Sequence, residues 1–154
     1  MKTRNIAVAL VLCFAGALSC LAEDVQMGSW KLDEAKSKFS EGAPKTTAGT
    51  YEAAGDSTKV TLDGVGFDGK PTHTEWTGKY DGKDYPVTGD SNQTSRAYTV
   101  VNDHKLKFAV KHDDKVILTG TITVSADGKI RTVKAKGMSA AGKKVEYTAV
   151  YDKQ

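Results

Sequence analysis

Cysteine is almost missing from this chain of 154 residues. The two that occur, Cys13 and Cys20, both fall in its first twenty-two residues. If that segment is removed, no thiol is left for a disulfide, a thiolate nucleophile or a sulfur-bound metal. Proline is also sparse, with Pro44, Pro71 and Pro86 far apart, so no proline-rich linker divides the chain. Histidine occurs three times, at His73, His104 and His112. Gly-x-Ser-x-Gly, Gly-x-Gly-x-x-Gly and the Walker pattern do not occur, which removes the usual markers of an esterase elbow and of a phosphate-cradling loop. Helical periodicity is almost absent; the one short candidate is Asp33 to Phe39.

The only long apolar run is Ile6 to Leu18. Lys2 and Arg4 precede it, and Ser19-Cys20-Leu21-Ala22 follows with small residues at the −3 and −1 positions before Glu23. A basic start, a short apolar stretch and a small-x-small site make a secretory signal peptide, and the run is too short to span a bilayer. Residues 1–22 are therefore expected to be a cleaved signal peptide and residues 23–154 a single domain, periplasmic or secreted. A lipid anchor on Cys20 is not favoured, because Ala17 stands where the lipoprotein pattern places an aliphatic residue. Loss of Lys2 and Arg4 also lowers the formal charge of +3, so the remaining chain is close to neutral and gives no basic footprint for nucleic acid.

What the chain does have is strands. Runs rich in Thr, Val, Ile and Tyr are expected near residues 27–32, 47–54, 58–66, 71–80, 94–102, 105–112, 115–125, 129–138 and 144–152. Several alternate with a period of two: Leu106, Phe108 and Val110 against Lys105, Lys107 and Lys111; Val116, Leu118, Gly120, Ile122 and Val124 against Thr119, Thr121 and Thr123. Alternation of this kind gives a sheet with one buried and one wet face. Asp68-Gly69-Lys70, Asp81-Gly82-Lys83 and Asp127-Gly128-Lys129 punctuate these runs, Gly142-Lys143 does so in reduced form, and Asp113-Asp114-Lys115 reads as a variant lacking glycine. Such dipeptides supply the positive φ angles of tight hairpins. The expected fold is all-β: an antiparallel up-and-down meander closing into an eight- or nine-stranded barrel, with a two-sheet sandwich as the alternative.

Gly28-Ser29-Trp30 at the head of the first strand resembles the Gly-x-Trp with which lipocalins begin. That resemblance implies an indole closing the narrow end of a barrel. The lipocalin Thr-Asp-Tyr is absent, although Tyr147 to Lys153 stands where a last strand would be. The whole chain after the leader is also similar to small secreted bacterial proteins of unassigned function. The likeness rests on Gly28-Ser29-Trp30-Lys31-Leu32, on Ala35-Lys36-Ser37-Lys38-Phe39 and on the Asp-Gly-Lys turns.

No catalytic constellation stands out. His73 and Glu75 share a strand face, but two ligands fall short of the three plus water of a catalytic zinc site. No segment spaces oxygen donors as calcium loops do. A carboxylate pair for glycoside hydrolysis is not singled out, and Asn92-Gln93-Thr94, which fits a glycosylation sequon, reads as a turn. No catalytic residue, metal or cofactor is therefore assigned. The aromatics are the better lead: Trp30, Trp76, Tyr80, Phe108, Tyr147 and Tyr151 are expected to point into the barrel. Barrels of this size are either filled by side chains or hollow enough for one small ligand. The function that follows is a non-enzymatic barrel binding a small apolar molecule, or a structural or interaction module with a filled core.

Overall fold

A computed structural model of the chain describes residues 25–139 and 141–154, so the expected leader and its cleavage site after Ala22 lie outside the described residues. Ten strands follow one another: β1 (Gly28–Phe39), β2 (Lys45–Ala54), β3 (Ser57–Val65), β4 (Pro71–Gly78), β5 (Tyr85–Thr88), β6 (Ser95–Asn102), β7 (Lys105–His112), β8 (Lys115–Val124), β9 (Ile130–Met138) and β10 (Lys144–Lys153). Each pairs with the next, and β1 also pairs antiparallel with β10, which closes the barrel. The ladder is continuous around the ring, so the sandwich alternative does not hold. The closed meander expected from the alternation does, and closure leaves no exposed sheet edge.

Three local expectations are corrected. The strand count is ten, not eight or nine, because β5 was hidden by Pro86 and the turn residues before it. β5 is short and holds on by Glu75↔Thr88 and Trp76↔Val87 on one side, and by Tyr85↔Arg96 and Pro86↔Ser95 on the other. The helical candidate Asp33 to Phe39 instead continues β1, whose pairing with β10 is interrupted between Asp33 and Lys38. Inside that irregularity the Ser37 hydroxyl donates to the Asp33 carbonyl (2.6 Å) and accepts from the Val150 N–H (2.9 Å). Residues that look helical thus fill a bulge whose backbone groups are satisfied by a side chain. Val116, expected to face inward with Leu118, is 54% exposed. The β7–β8 register shifts between Val110 and Lys111, and the shift flips Val116 outward.

The turn between β7 and β8 is made without glycine: Asp113 and Asp114 both take positive φ, 44° and 63°. Aspartate tolerates this left-handed region better than bulkier residues do. Within the wall, Gly120 makes room for a neighbour. A Cβ there would lie 2.3 Å from the Lys134 carbonyl oxygen and 2.7 Å from the Phe108 ring.

Inward-facing residues form two apolar clusters stacked along the barrel. The larger contains Trp30, Tyr51, Val60, Trp76, Tyr98 and Leu106; the smaller, towards the other end, is Val110, Leu118, Ala135 and Val145. Trp76 is the hub of an aromatic group, with ring centroids 4.9 Å from Tyr98, 5.7 Å from Tyr85 and 6.2 Å from Tyr80. Contacts of this geometry each contribute about 0.5–1.5 kcal/mol beyond the area they bury.

Candidate functional site

The chain contains three arginines, Arg4, Arg96 and Arg131; every other base is lysine. Among the described residues no lysine is buried, whereas Arg96 (8% exposed) and Arg131 (2%) are the only buried charged side chains. Guanidinium is more weakly hydrated than ammonium and stacks on rings, so it is the cation that tolerates such a position. Burying an ion still carries an effective penalty of about several kcal/mol unless it is compensated.

Strand parity places both. Arg96 stands two residues before Tyr98 on β6, and Arg131 two before Val133 on β9. These strands run in opposite directions, so their first residues enter from opposite ends of the barrel. Arg131 lies over the Tyr51 ring (3.9 Å to its centroid) and under Trp30 (5.7 Å), and donates to the Tyr51 hydroxyl at 2.5 Å. Arg96 donates to the Tyr98 hydroxyl (3.2 Å) and to the Gln93 side-chain carbonyl (2.6 Å). The Gln93 amide in turn donates to Asp90 (2.7 Å), so Arg96 reaches a carboxylate only through an intervening amide. Nη1 of Arg131 and Nε of Arg96 have no hydrogen-bond partner among the described residues.

Both arginines border one interior space of about 60 Å³, together with Trp30, Tyr51, Tyr98, Phe108, Tyr147 and Tyr151. One water needs about 10–15 Å³ and drug-sized ligands fill about 300–1,000 Å³. The space thus suits a group of a few atoms. Tyr51, Tyr147 and Tyr151 supply no counter-charge to it. Burial pushes Tyr51, Tyr147 and Tyr151 well above the ordinary tyrosine range, outweighing the nearby Arg131 or Arg96 that pulls each down. They are neutral at any physiological pH.

Of the six aromatics expected inside, Trp30, Phe108, Tyr147 and Tyr151 border this space; Trp76 and Tyr80 pack in the aromatic group beside it. Trp30, 2% exposed, donates its indole N–H to the Gln26 carbonyl (3.0 Å), and Val25 and Met27 pack against the core there. Arg96, Arg131, Tyr51 and Tyr98 were not singled out in the sequence. The available signal was an arginine at inward parity in a chain that otherwise uses lysine.

The histidines and carboxylates lie elsewhere. His73 Nδ1 is 2.6 Å from Asp63 on the outer surface, while Glu75, its neighbour in parity, pairs with Lys59 (2.9 Å). Hydrogen bonds from Lys36, Lys143, Lys79 and Lys59 hold Asp33, Glu41, Asp56 and Glu75 below the usual carboxylate range. Asp68 and Asp81 are lowered chiefly by turn N–H groups, and Asp127 by the Ser125 hydroxyl. A general acid needs the opposite shift. No group of three metal-ligating side chains occurs among the described residues.

No family model and no curated protein matches the chain. Solved structures do. "Structure of EF1p2_mFAP2b bound to DFHBI" aligns with a TM-score of 0.51 at 13% identity, over 88% of this chain and 99% of that one. "Structure of a redesigned beta barrel, mFAP1, bound to DFHBI" aligns at 0.46 and 13%, over 86% and 98%. At such identity the first shows a shared barrel fold and the second carries no weight.

Proposed function

We propose that this chain is an exported, non-enzymatic, lipocalin-like barrel that takes a small molecule with an apolar body into its lumen. The observation that carries the reading is the interior space itself, walled by Trp30, Phe108, Tyr147 and Tyr151 and bordered by Arg96 and Arg131, each with one guanidinium nitrogen that has no hydrogen-bond partner among the described residues. A core built for stability alone has no use for two buried cations without a directly bonded carboxylate, since apolar side chains of similar volume are neutral or better. Trp30 buried at one end of the barrel supports the lipocalin likeness, and EF1p2_mFAP2b bound to DFHBI is a barrel of this architecture holding a small compound.

The reading is tested by titrating the folded barrel with short-chain alcohols and acids while following the aromatic NMR resonances. Shifts at Phe108, Tyr147 and Tyr151 should saturate at one equivalent and vanish in Val133→Phe, which fills the space. Shifts that never saturate, or that persist unchanged in the filled variant, count against a lumen site. Export is tested by intact mass, which should begin at Glu23. The rival, an interaction module, is favoured by one feature: Val116 (54% exposed) and Met138 (47%) flank Ile117 on a shallow outer surface.

A further inference from the structure

We infer that the ligand carries a carboxylate, gripped inside the barrel between Arg96 and Arg131. The inference rests on the lumen reading above and adds the chemical class. Four residues that carry donor groups, Arg96, Arg131, Tyr51 and Tyr98, border one small space. Among the described residues Arg131 Nη1 and Arg96 Nε have no hydrogen-bond partner, and both are buried. The Tyr51 and Tyr98 hydroxyls already accept from the guanidiniums, so each has its own proton left to donate. No acceptor of matching charge lies among the residues bordering the space. The nearest linked carboxylate, Asp90, reaches Arg96 only through Gln93, and among the described residues Arg131 pairs with no carboxylate.

A carboxylate answers each of these features. Its two oxygens accept up to about four hydrogen bonds, it is planar like the guanidinium, and its charge offsets the buried cations. The size of the space sets the rest: about 60 Å³ holds the head group and a few carbons, with the aromatic wall of Phe108 and Tyr147 against the apolar end. A short-chain monocarboxylate fits this description. An amine is excluded by charge. A neutral alcohol would leave both guanidiniums uncompensated.

Butyrate, butanol and butylamine share a chain length and differ in the head group, so calorimetry and NMR titration of the three on the full barrel separate the possibilities. Butyrate should bind about tenfold or more tighter than butanol, the difference expected of hydrogen bonds to a charged group. Arg131→Gln, which removes one of the two guanidiniums, should lower the ratio of butyrate to butanol affinity. Tyr51→Phe, which keeps the ring and removes one donor, should reduce the preference in a protein that remains folded. Equal binding of butyrate and butanol in the unaltered barrel would overturn the carboxylate assignment and leave the lumen reading standing. Tightest binding by butylamine would overturn it too. If none of the three saturates, the lumen reading fails and the carboxylate with it.

Discussion

Replacement of Trp30 by alanine tests the architecture most directly. Trp30 is 2% exposed, and a buried indole withdraws up to about 250 Å² from water. At about 25 cal/mol per Å² that is an upper limit of about 6 kcal/mol; alanine's own share and residual burial in the unfolded chain bring it to about 4. The Gln26 carbonyl, which accepts from the indole at 3.0 Å, would lose its partner, costing about 1 kcal/mol more. Arg131 and Lys153 (5.3 Å) would lose the ring they lie against. The total, about 4–5 kcal/mol, sits at the upper part of the range for an aromatic lost from a core. Domains are stable by about 5–15 kcal/mol, so the variant should be folded only marginally. Urea denaturation followed by circular dichroism measures this as a lowered midpoint at unchanged slope. Trp30→Phe, which keeps most of the volume but not the donor, should lose about 1–2 kcal/mol. A loss below about 1 kcal/mol for Trp30→Ala, in a protein with a native spectrum, would mean that the indole does not close the barrel.

Two further outcomes follow from the interior. Tyr51, Tyr80, Tyr147 and Tyr151 are pushed upward by burial, so the unfolded chain ionises these four phenols near pH 10 while the folded one does not. The stability they contribute is full below about pH 10 and lost as pH rises above it; the phenolate absorbance of these four should therefore appear together with unfolding, and any of the four that titrates smoothly in a folded barrel would contradict its burial. Gly120→Ala should cost about 1–3 kcal/mol, because the Lys134 carbonyl is fixed backbone and Phe108 has little room to turn, while Thr121→Ala on the outer face should be near neutral in the same thermal melt.

The wall of this barrel was far more legible than its contents. β7 runs from Lys105 to His112, as its alternation of apolar residues and lysine implied, because a wet face and a dry face impose a period of two. β5 was illegible for the same reason: four residues centred on Pro86 carry too few alternations to register. Asp33 to Phe39 misled because a bulge, like a helical turn, brings residues three and four apart together, as the Lys36 and Ser37 bonds to Asp33 show. Parity located the aromatics, and the buried residues of β4, Thr74, Trp76 and Gly78, share the expected face. The arginines escaped because hydrophobic patterning treats a charge at an inward position as noise. Only the three-dimensional arrangement shows that Arg96 and Arg131 reach one space from opposite ends.

The brevity of β5 bears on kinetics. A four-residue strand held by two ladder pairs on each side and by the Val87 N–H donating to the Thr94 carbonyl (3.0 Å), with a proline that offers no N–H, is the shortest stave of the ring. Its detachment would part β4 from β6 without melting the remaining strands, the kind of sub-global opening that hydrogen exchange detects well below the cost of complete unfolding. Tyr85 pairs with Arg96 across that seam, so the breach would form beside one of the two buried cations. On the lumen reading proposed above, how long a guest remains inside would depend on how often this stave lets go. A barrel with the same lumen and a longer β5 would hold its guest no more tightly, yet exchange it far more slowly.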